Sequence, residues 1–166
     1  PSFWDFCSSQ LNESVRSAKH AFHVATVSTI TANGTPRSRS VILRHFDANT
    51  PEVAFHTDIR SPKLKDLQNC RTLCVHWYDP ASRVQIRLIA SATVHHQDGR
   101  TEQAWQSSRT TSRACYGTEN APGTTMNQFP PAPPIPHEND HRGYAHFVVV
   151  ACHFEELDVL TLHASG

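Results

Sequence analysis

Hydrophobic and polar residues alternate through residues 23–96, which is the pattern of half-buried β-strands. Two of the runs, 23–31 and 36–46, flank the pair Asn33-Gly34. Because both residues of this pair tolerate a positive φ, the pair predicts a tight hairpin turn. The alternation predicts further strands at 53–57, 73–78, 84–96, 144–154 and 155–162.

Helical spacing of apolar residues is confined to short segments. Residues 3–19 form an amphipathic pattern, and 101–115 form a second helical segment. Ser61 followed by Pro62 is typical of a helix start, because proline lacks only an N–H that would be unpaired there. With six or seven strands, these segments predict a mainly β fold: a six- to seven-stranded antiparallel β-barrel with flanking short helices.

One long segment breaks the pattern. Residues 117–143 contain six of the eleven prolines and show little periodicity, which is typical of a functional lid or a mobile excursion. The chain has 166 residues, enough for one sizeable core. We therefore predict a single domain over 1–166, with an N-terminal helix at 3–19, a proline-rich excursion at 117–143 and C-terminal strands within 144–162.

Composition narrows the possible partners. Fifteen basic and fifteen acidic residues give a formal charge of zero, and aromatic residues make up 8%, so the chain does not resemble a nucleic-acid-binding domain. No apolar run is long enough for a membrane span. The five cysteines have no Cys-x-x-Cys spacing and are interpreted as reduced thiols. These features predict a cytoplasmic protein that binds neither nucleic acid nor membrane.

Two neighbouring basic segments carry the candidate chemistry. Arg37 and Arg39 lie on a strand that otherwise has a core pattern, where an unpaired guanidinium would be costly. Shortly afterwards, Arg60, Ser61 and Lys63 surround the start of a predicted helix, a position suited to binding phosphate. Either segment alone is compatible with surface salt bridges. Together they favour a phosphorylated ligand.

These residues also carry a resemblance to a known family. From about residue 20 to residue 94, the chain resembles the pyridoxamine 5′-phosphate oxidase-like family of flavin-binding split barrels. The order and separation of several short motifs agree with that family. The motifs are ATV at 25–27, GTPRSRSVILR at 34–44, FHTD at 55–58, SPK at 61–63 and VQIR at 84–87.

The resemblance implies a split barrel that binds FMN at a homodimer interface and performs flavin-dependent oxidoreduction on a small-molecule substrate or electron donor. It implies that Arg39 and Lys63 hold the FMN phosphate. No side chain is implied as a catalytic acid or base. The other implied cofactor-binding residues are Ser40, Val41, Ile42, Leu43 and Arg44 beside the ribityl chain and ring, with His56, Thr57, Ser61 and Gln85.

The chain departs from the oxidases of this family at several positions. It has Arg44 where the oxidases usually carry lysine, and Pro62 where a second basic residue is usual. Trp105 and Arg109 fall near the spacing of the oxidases' substrate-phosphate residues, but only the arginine type is kept. Arg44, Trp105 and Arg109 are therefore the candidates for substrate contact. The resemblance implies the flavin site more strongly than a vitamin B6 substrate site.

Several other interpretations remain open. The barrel would also suit a non-catalytic carrier or sensor of flavin, haem or deazaflavin, or an empty barrel that acts as a dimeric interaction module. His137 and His141 have a spacing that binds metal on a helix, but prolines precede them, so we predict a solvated loop and no metal site.

Overall fold

The computed structural model describes residues 2–138 and 140–162. The predicted strands are present, with small shifts at their ends. The helices are α1 (Phe3–Arg16), α2 (Pro62–Asn69), α3 (Gly99–Ser107) and α4 (Thr110–Arg113). The strands are β1 (Val24–Ile30), β2 (Pro36–Asp47), β3 (Glu52–Asp58), β4 (Thr72–Asp79), β5 (Val84–His96), β6 (Phe147–His153) and β7 (Leu157–Thr161).

Six antiparallel strands close into a barrel. Their order is β4-β1-β2-β3-β6-β5, and the pairing of β5 with β4 closes the ring. The long strand β5 also pairs with β7 through Val84–Leu88, while its later residues pair with β6. This arrangement confirms the predicted mainly β fold, a closed barrel with an additional seventh strand and flanking short helices.

Strand alternation places the core inside the barrel. Val41 and Leu43 of β2 are buried, as are Val27 of β1 and Ile86 and Leu88 of β5. The hairpin turn between β1 and β2 contains Gly34 at a φ of 84°, a conformation that most side chains disfavour. The Asn33-Gly34 pair thus fixes the register of the first hairpin, with Val27 opposite Arg39.

A second layer covers the outside of β3 and β6. Trp105 of α3 packs against Ala54, Phe147 and Val149, and the ring of Tyr116 lies edge-on to Phe147 at 5.0 Å. All residues of β6 except His153 are therefore buried. This layer explains why β6 has a continuous apolar sequence instead of an alternating one.

The predicted helix at 101–115 is wrong as a single element. Ser108 and Arg109 are extended, and they separate α3 from the short helix α4. The buried guanidinium of Arg113 folds back and donates to the carbonyls of Trp105 and Gln106 at 3.0 and 2.9 Å. The carbonyl of Trp105 also accepts from the backbone N–H of Ser108, so both carbonyls have donors at the point where α3 ends.

Other boundaries differ by a few residues. The N-terminal helix predicted at 3–19 ends at Arg16. The strand predicted from 144 begins at Phe147, because 144–146 form a 3₁₀ turn, and the last strand covers Leu157–Thr161. In the described part of the chain, no helix is long and apolar enough to cross a bilayer.

The excursion 117–143 contains no helix or strand among its described residues. It is nevertheless attached to the body at both ends. Arg60 donates to the carbonyls of Thr118 and Glu119 at 3.0 and 3.2 Å, and Arg113 donates to the carbonyl of Glu138 at 2.9 Å. The excursion therefore begins beside the loop that leads into α2.

Candidate functional site

A buried carboxylate organises the basic face of β2. Asp66 on α2 is 3% exposed and accepts a hydrogen bond from the hydroxyl of Thr29 at 2.8 Å. Arg37 and Arg39 lie 3.4 and 3.6 Å from its two oxygens. Arg39 also donates to the Thr29 hydroxyl at 2.7 Å. Asp66 was not predicted from the sequence, because no local motif links it to a strand so far away in the chain.

Lys63 lies in the same region with different partners. Its side chain is 8% exposed, and its Nζ donates to the hydroxyls of Thr57 and Ser61, both at 2.7 Å. Burial, followed by the positive charge of Arg39, lowers the pKa of Lys63 to about 8, against a weaker opposing effect of Asp58. Desolvation and a like charge both disfavour an ammonium group.

Ser61 marks the start of helix α2, as its position before Pro62 predicts. It occupies the N-cap position, but its hydroxyl makes no capping hydrogen bond. That oxygen accepts from Lys63 instead. The cap side chain therefore accepts no hydrogen bond from the first turn of α2. The positive end of this helix lies next to a buried ammonium group.

We call Arg39, Thr57, Ser61 and Lys63 the cluster, and its charges indicate what it can bind. No carboxylate of a described residue forms an ion pair with Lys63, since Asp58 is engaged by Arg60 at 2.7 Å and Asp66 by the two arginines of β2. A buried cation with only hydroxyl partners is electrostatically uncompensated. A phosphate group would supply the missing charge and accept charge-assisted hydrogen bonds, so the residues present fit the phosphate of FMN.

The remaining predicted residues of β2 divide between the two faces. Val41 and Leu43 point into the barrel core, so only their backbone is available outside it. Ser40 and Arg44 are exposed and Ile42 is partly exposed on the opposite face. Along the outside of the barrel, β2 therefore presents the side chains of Ser40, Ile42 and Arg44, with backbone groups of the strand between them.

Arg44 lies at an irregularity in the sheet. The pairing of β2 with β3 shifts between Leu43 and His45, which leaves Arg44 as the extra residue of a bulge. Its charge lies close enough to His56 to contribute, after burial, to lowering the pKa of that histidine to about 4. His56 stacks edge-on to Phe147 at 4.8 Å and is neutral near pH 7.

Gln85 lies on the outer face of the barrel, partly exposed on β5. It pairs with Tyr78 of β4 on one side and with Leu160 of β7 on the other. Val24, paired with Ile42, belongs to the same outer surface. Val24, Tyr78 and Leu160 are all exposed. These residues form a largely apolar row, which we call the outer barrel face.

Two of the three candidate substrate residues, Trp105 and Arg109, are separated by the end of helix α3. Trp105 is buried in the second layer, where its indole N–H donates to His141 at 3.2 Å. Arg109 is exposed at the start of α4. Trp105 also lines a cavity of about 730 Å³ beneath the excursion, together with Arg113 and Cys115. The lining of this cavity does not include Lys63 or Arg39.

The histidines of the excursion have separate partners. His141 accepts from Trp105, and Nδ1 of His146 lies 2.9 Å from the carbonyl of Tyr116. Within residues 2–138 and 140–162, no group of three or more His, Cys, Asp or Glu side chains is arranged to hold a metal ion. The five cysteines are not joined in disulfides.

Sequence comparison identifies the family. Residues 3–96 match the family described as "Pyridoxamine 5′-phosphate oxidase, FMN-binding domain". The chain belongs to this family. The matched region contains β1 to β5 and α2, and therefore includes Arg39, Thr57, Ser61, Lys63 and Gln85. FMN is the cofactor of the family, in agreement with the resemblance seen in the sequence.

Two oxidases from other organisms match part of the chain. Pyridoxine/pyridoxamine 5′-phosphate oxidase 2 of Arabidopsis thaliana is 28% identical over 122 residues, which cover 68% of this chain and 61% of that protein. The pyridoxine/pyridoxamine 5′-phosphate oxidase of Photorhabdus laumondii is 35% identical over 69 residues, which cover 40% of this chain and 30% of that protein. The chain thus spans less than two thirds of either relative.

Solved structures confirm the fold. A pyridoxamine 5′-phosphate oxidase-related, FMN binding protein from Nostoc punctiforme superposes with a TM-score of 0.77 at 23% identity, covering 98% of this chain and 86% of that one. PhzG from Burkholderia lata, solved with tetrahydrophenazine-1-carboxylic acid, gives a TM-score of 0.71 at 14% identity, with coverages of 97% and 80%. At these identities the likeness establishes the barrel architecture.

Substituting the two cations of the cluster should change the stability of the FMN-free protein in opposite directions. Lys63→Met removes an uncompensated buried charge and releases Ser61 to cap α2, so we expect Tm to rise by about 2–4 °C for each kcal/mol gained. Arg39→Met leaves Asp66 with weaker compensation and should lower the free energy of unfolding by about 1–3 kcal/mol.

Thermal and urea unfolding of the FMN-free variants would measure both effects. Lys65→Met, on the same helix but exposed, is the matched control for removing a lysine. Equal destabilisation by Lys63→Met and Arg39→Met would contradict the view that only Asp66 compensates a cation in this cluster.

Proposed function

We propose that this chain is an FMN-dependent oxidoreductase whose flavin phosphate binds between Lys63 and Arg39. The observation that carries the proposal is the buried ammonium of Lys63, which has two hydroxyl partners and, within the part of the chain that the structure describes, no carboxylate partner. Membership of the FMN-binding family supplies the cofactor, and the cluster supplies the charge that its phosphate requires.

Each residue of the cluster has a defined part in this proposal. The ammonium of Lys63 has three N–H donors, of which two point to Thr57 and Ser61, so one remains for a phosphate oxygen. The two hydroxyls can also donate their own protons to phosphate. Arg39 is held by Thr29 and Asp66, which fixes the direction of its guanidinium.

The outer row of β2 would accompany the rest of the cofactor. Ser40 and Ile42 flank the path from the cluster towards Arg44, with backbone groups of the strand between them. The bound flavin would supply hydride or electron transfer. His56 is neutral at physiological pH because of its lowered pKa, so it can orient a ligand through a hydrogen bond but adds no positive charge.

Arg44 is the residue that we propose contacts substrate. It is exposed at the bulge and forms no ion pair with a described residue, so an anionic group of a small molecule can reach its guanidinium. Trp105 and Arg109 stay predictions for further substrate contact. The Arabidopsis and Photorhabdus relatives carry the name of an oxidase of pyridoxine and pyridoxamine 5′-phosphate, which makes these phosphorylated pyridines the first compounds to test.

A homodimer is part of the same proposal. The outer barrel face exposes Val24, Tyr78 and Leu160, and Gln85 lies among them. A second copy of the chain packed on this face would cover the apolar row. It would also bring the glutamine at position 85 of the second copy towards β2. The outer side of that strand, where the flavin is proposed to lie, belongs to the same surface.

FMN affinity should depend on pH through Lys63. The free protein loses the Lys63 proton above about pH 8, whereas bound phosphate favours the charged form. Since phosphate monoesters are already dianionic above about pH 6, the Kd for FMN should rise by up to about tenfold per pH unit above 8. Fluorescence titration of the FMN-free protein across this range measures the effect.

Two variants separate this effect from general unfolding. Lys63→Arg keeps its charge throughout the range, so its affinity should be independent of pH, while Lys63→Met should bind FMN about tenfold to a hundredfold more weakly at pH 7. A wild-type Kd that stays constant between neutral and alkaline pH would remove Lys63 from the phosphate site.

Disrupting the outer barrel face should separate the subunits. Tyr78→Glu places a charge in the apolar row, so we expect analytical ultracentrifugation to show a monomer with FMN affinity reduced at least about tenfold. Phe3→Glu changes an even more exposed aromatic residue on α1 and should leave the dimer intact. A wild-type protein that binds FMN tightly as a monomer would argue against the proposed interface.

Turnover can be tested by mixing the FMN-loaded protein anaerobically with pyridoxamine 5′-phosphate, pyridoxine 5′-phosphate or a reduced nicotinamide. We expect one of these donors to bleach the visible absorption of the flavin. Arg44→Ala should slow bleaching by a phosphorylated donor at least about tenfold, because a charge-assisted hydrogen bond is lost, while Arg71→Ala serves as an exposed control. A flavin that none of these donors reduces would favour the non-catalytic carrier.

A further inference from the structure

The segment 129–136, with the sequence FPPAPPIP, has an unusually restricted backbone. We call it the proline strap. Each of its eight residues is either a proline or the residue directly before one. Proline fixes its own φ and steers the preceding residue away from helical conformations towards extended ones. Such a run favours the polyproline II helix.

The spacing of side chains in the strap matches the period of that helix. Polyproline II has three residues per turn, so residues three apart lie along one edge. Phe129, Ala132 and Ile135 share the first edge, and prolines at 130, 133 and 136 share the second. The first edge therefore places a large aromatic and a large aliphatic side chain about 19 Å apart, with a small residue between them.

The structure leaves the two large side chains of this edge uncovered, while Ala132 between them lines the cavity beneath the excursion. Phe129 is fully exposed, Ile135 is 65% exposed, and neither lines the cavity beneath the excursion. The backbone of residues 129–136 forms no hydrogen bond with the described part of the chain, and these residues belong to no helix or strand. Their carbonyl groups thus remain available to donors from outside.

Contacts on both sides hold the strap against the body. Before it, Gly123 lies next to the ring of Pro62. After it, the carbonyl of Glu138 accepts from the buried Arg113, and His141 accepts from Trp105. A ligand segment that is both stiff and anchored loses little conformational entropy on binding.

We propose that the proline strap is a docking ligand for a partner protein with an aromatic-lined groove of the kind that binds polyproline II segments. Phe129 and Ile135 are the anchors of the strap. Tryptophan N–H and tyrosine O–H groups of the partner's groove donate hydrogen bonds to the strap's carbonyls. Residues 121–136 contain no charged side chain, so the groove is apolar and uncharged where it meets the strap. This function is separate from the flavin site.

The test uses the whole FMN-loaded chain and purified domains of the three classes that bind such segments, SH3, WW and EVH1. Isothermal titration calorimetry should detect micromolar binding to at least one class. Phe129→Ala should weaken that binding at least about tenfold, because aromatic anchors dominate small interfaces. Pro130→Ala combined with Pro133→Ala should also weaken it by releasing the backbone.

Phe3→Ala is the matched control, since Phe3 is also a highly exposed phenylalanine but lies on α1. It should bind the domain as the wild type does, and all variants should retain FMN. Absence of binding to all three classes, or binding that Phe129→Ala leaves unchanged, would overturn the proposal. Self-association that Phe129→Ala abolishes would overturn it as well, because a second copy of the chain would then be what covers the strap.

Discussion

The buried carboxylate of Asp66 ties helix α2 to the end of the barrel. Through Thr29, Arg37 and Arg39 it connects α2 to both strands of the first hairpin. Lys63 lies one turn earlier on the same helix, so its depth and direction follow from this attachment. The position of the candidate phosphate site therefore depends on three polar contacts that Asp66 makes, with Thr29, Arg37 and Arg39.

The cluster combines compensated and uncompensated charge within a small volume. Arg39 has a carboxylate partner in Asp66, and the neighbouring Arg60 has one in Asp58, whereas Lys63 has only hydroxyl partners among the described residues. A fully paired cluster would have little attraction for an anion, and an entirely unpaired one would destabilise the fold. The arrangement lies between these two extremes.

Much of the fold was predictable from local patterns, but the tertiary contacts were not. Alternation located the strands, and Asn33-Gly34 located the first hairpin, because both signals depend on neighbouring residues. The break after α3 depends on Arg113 reaching back to its carbonyls, and no helical periodicity encodes that contact. Within the site, the motif led to Arg39 and Lys63. The role of Asp66 and the diversion of the Ser61 hydroxyl required the three-dimensional arrangement.

The pairing of β3 with β6 has a consequence for how the chain folds. Glu52 lies opposite His153 and Asp58 opposite Phe147, so most of the sequence, including the whole excursion, lies between the partners. One side of β3 therefore stays unpaired until the much later β6 has been synthesised, while the hairpins of β1 with β2 and β4 with β5 involve nearby residues and form early. Until β6 is available, that side of β3 is an open strand edge, which is a site where two unfinished chains can pair with one another.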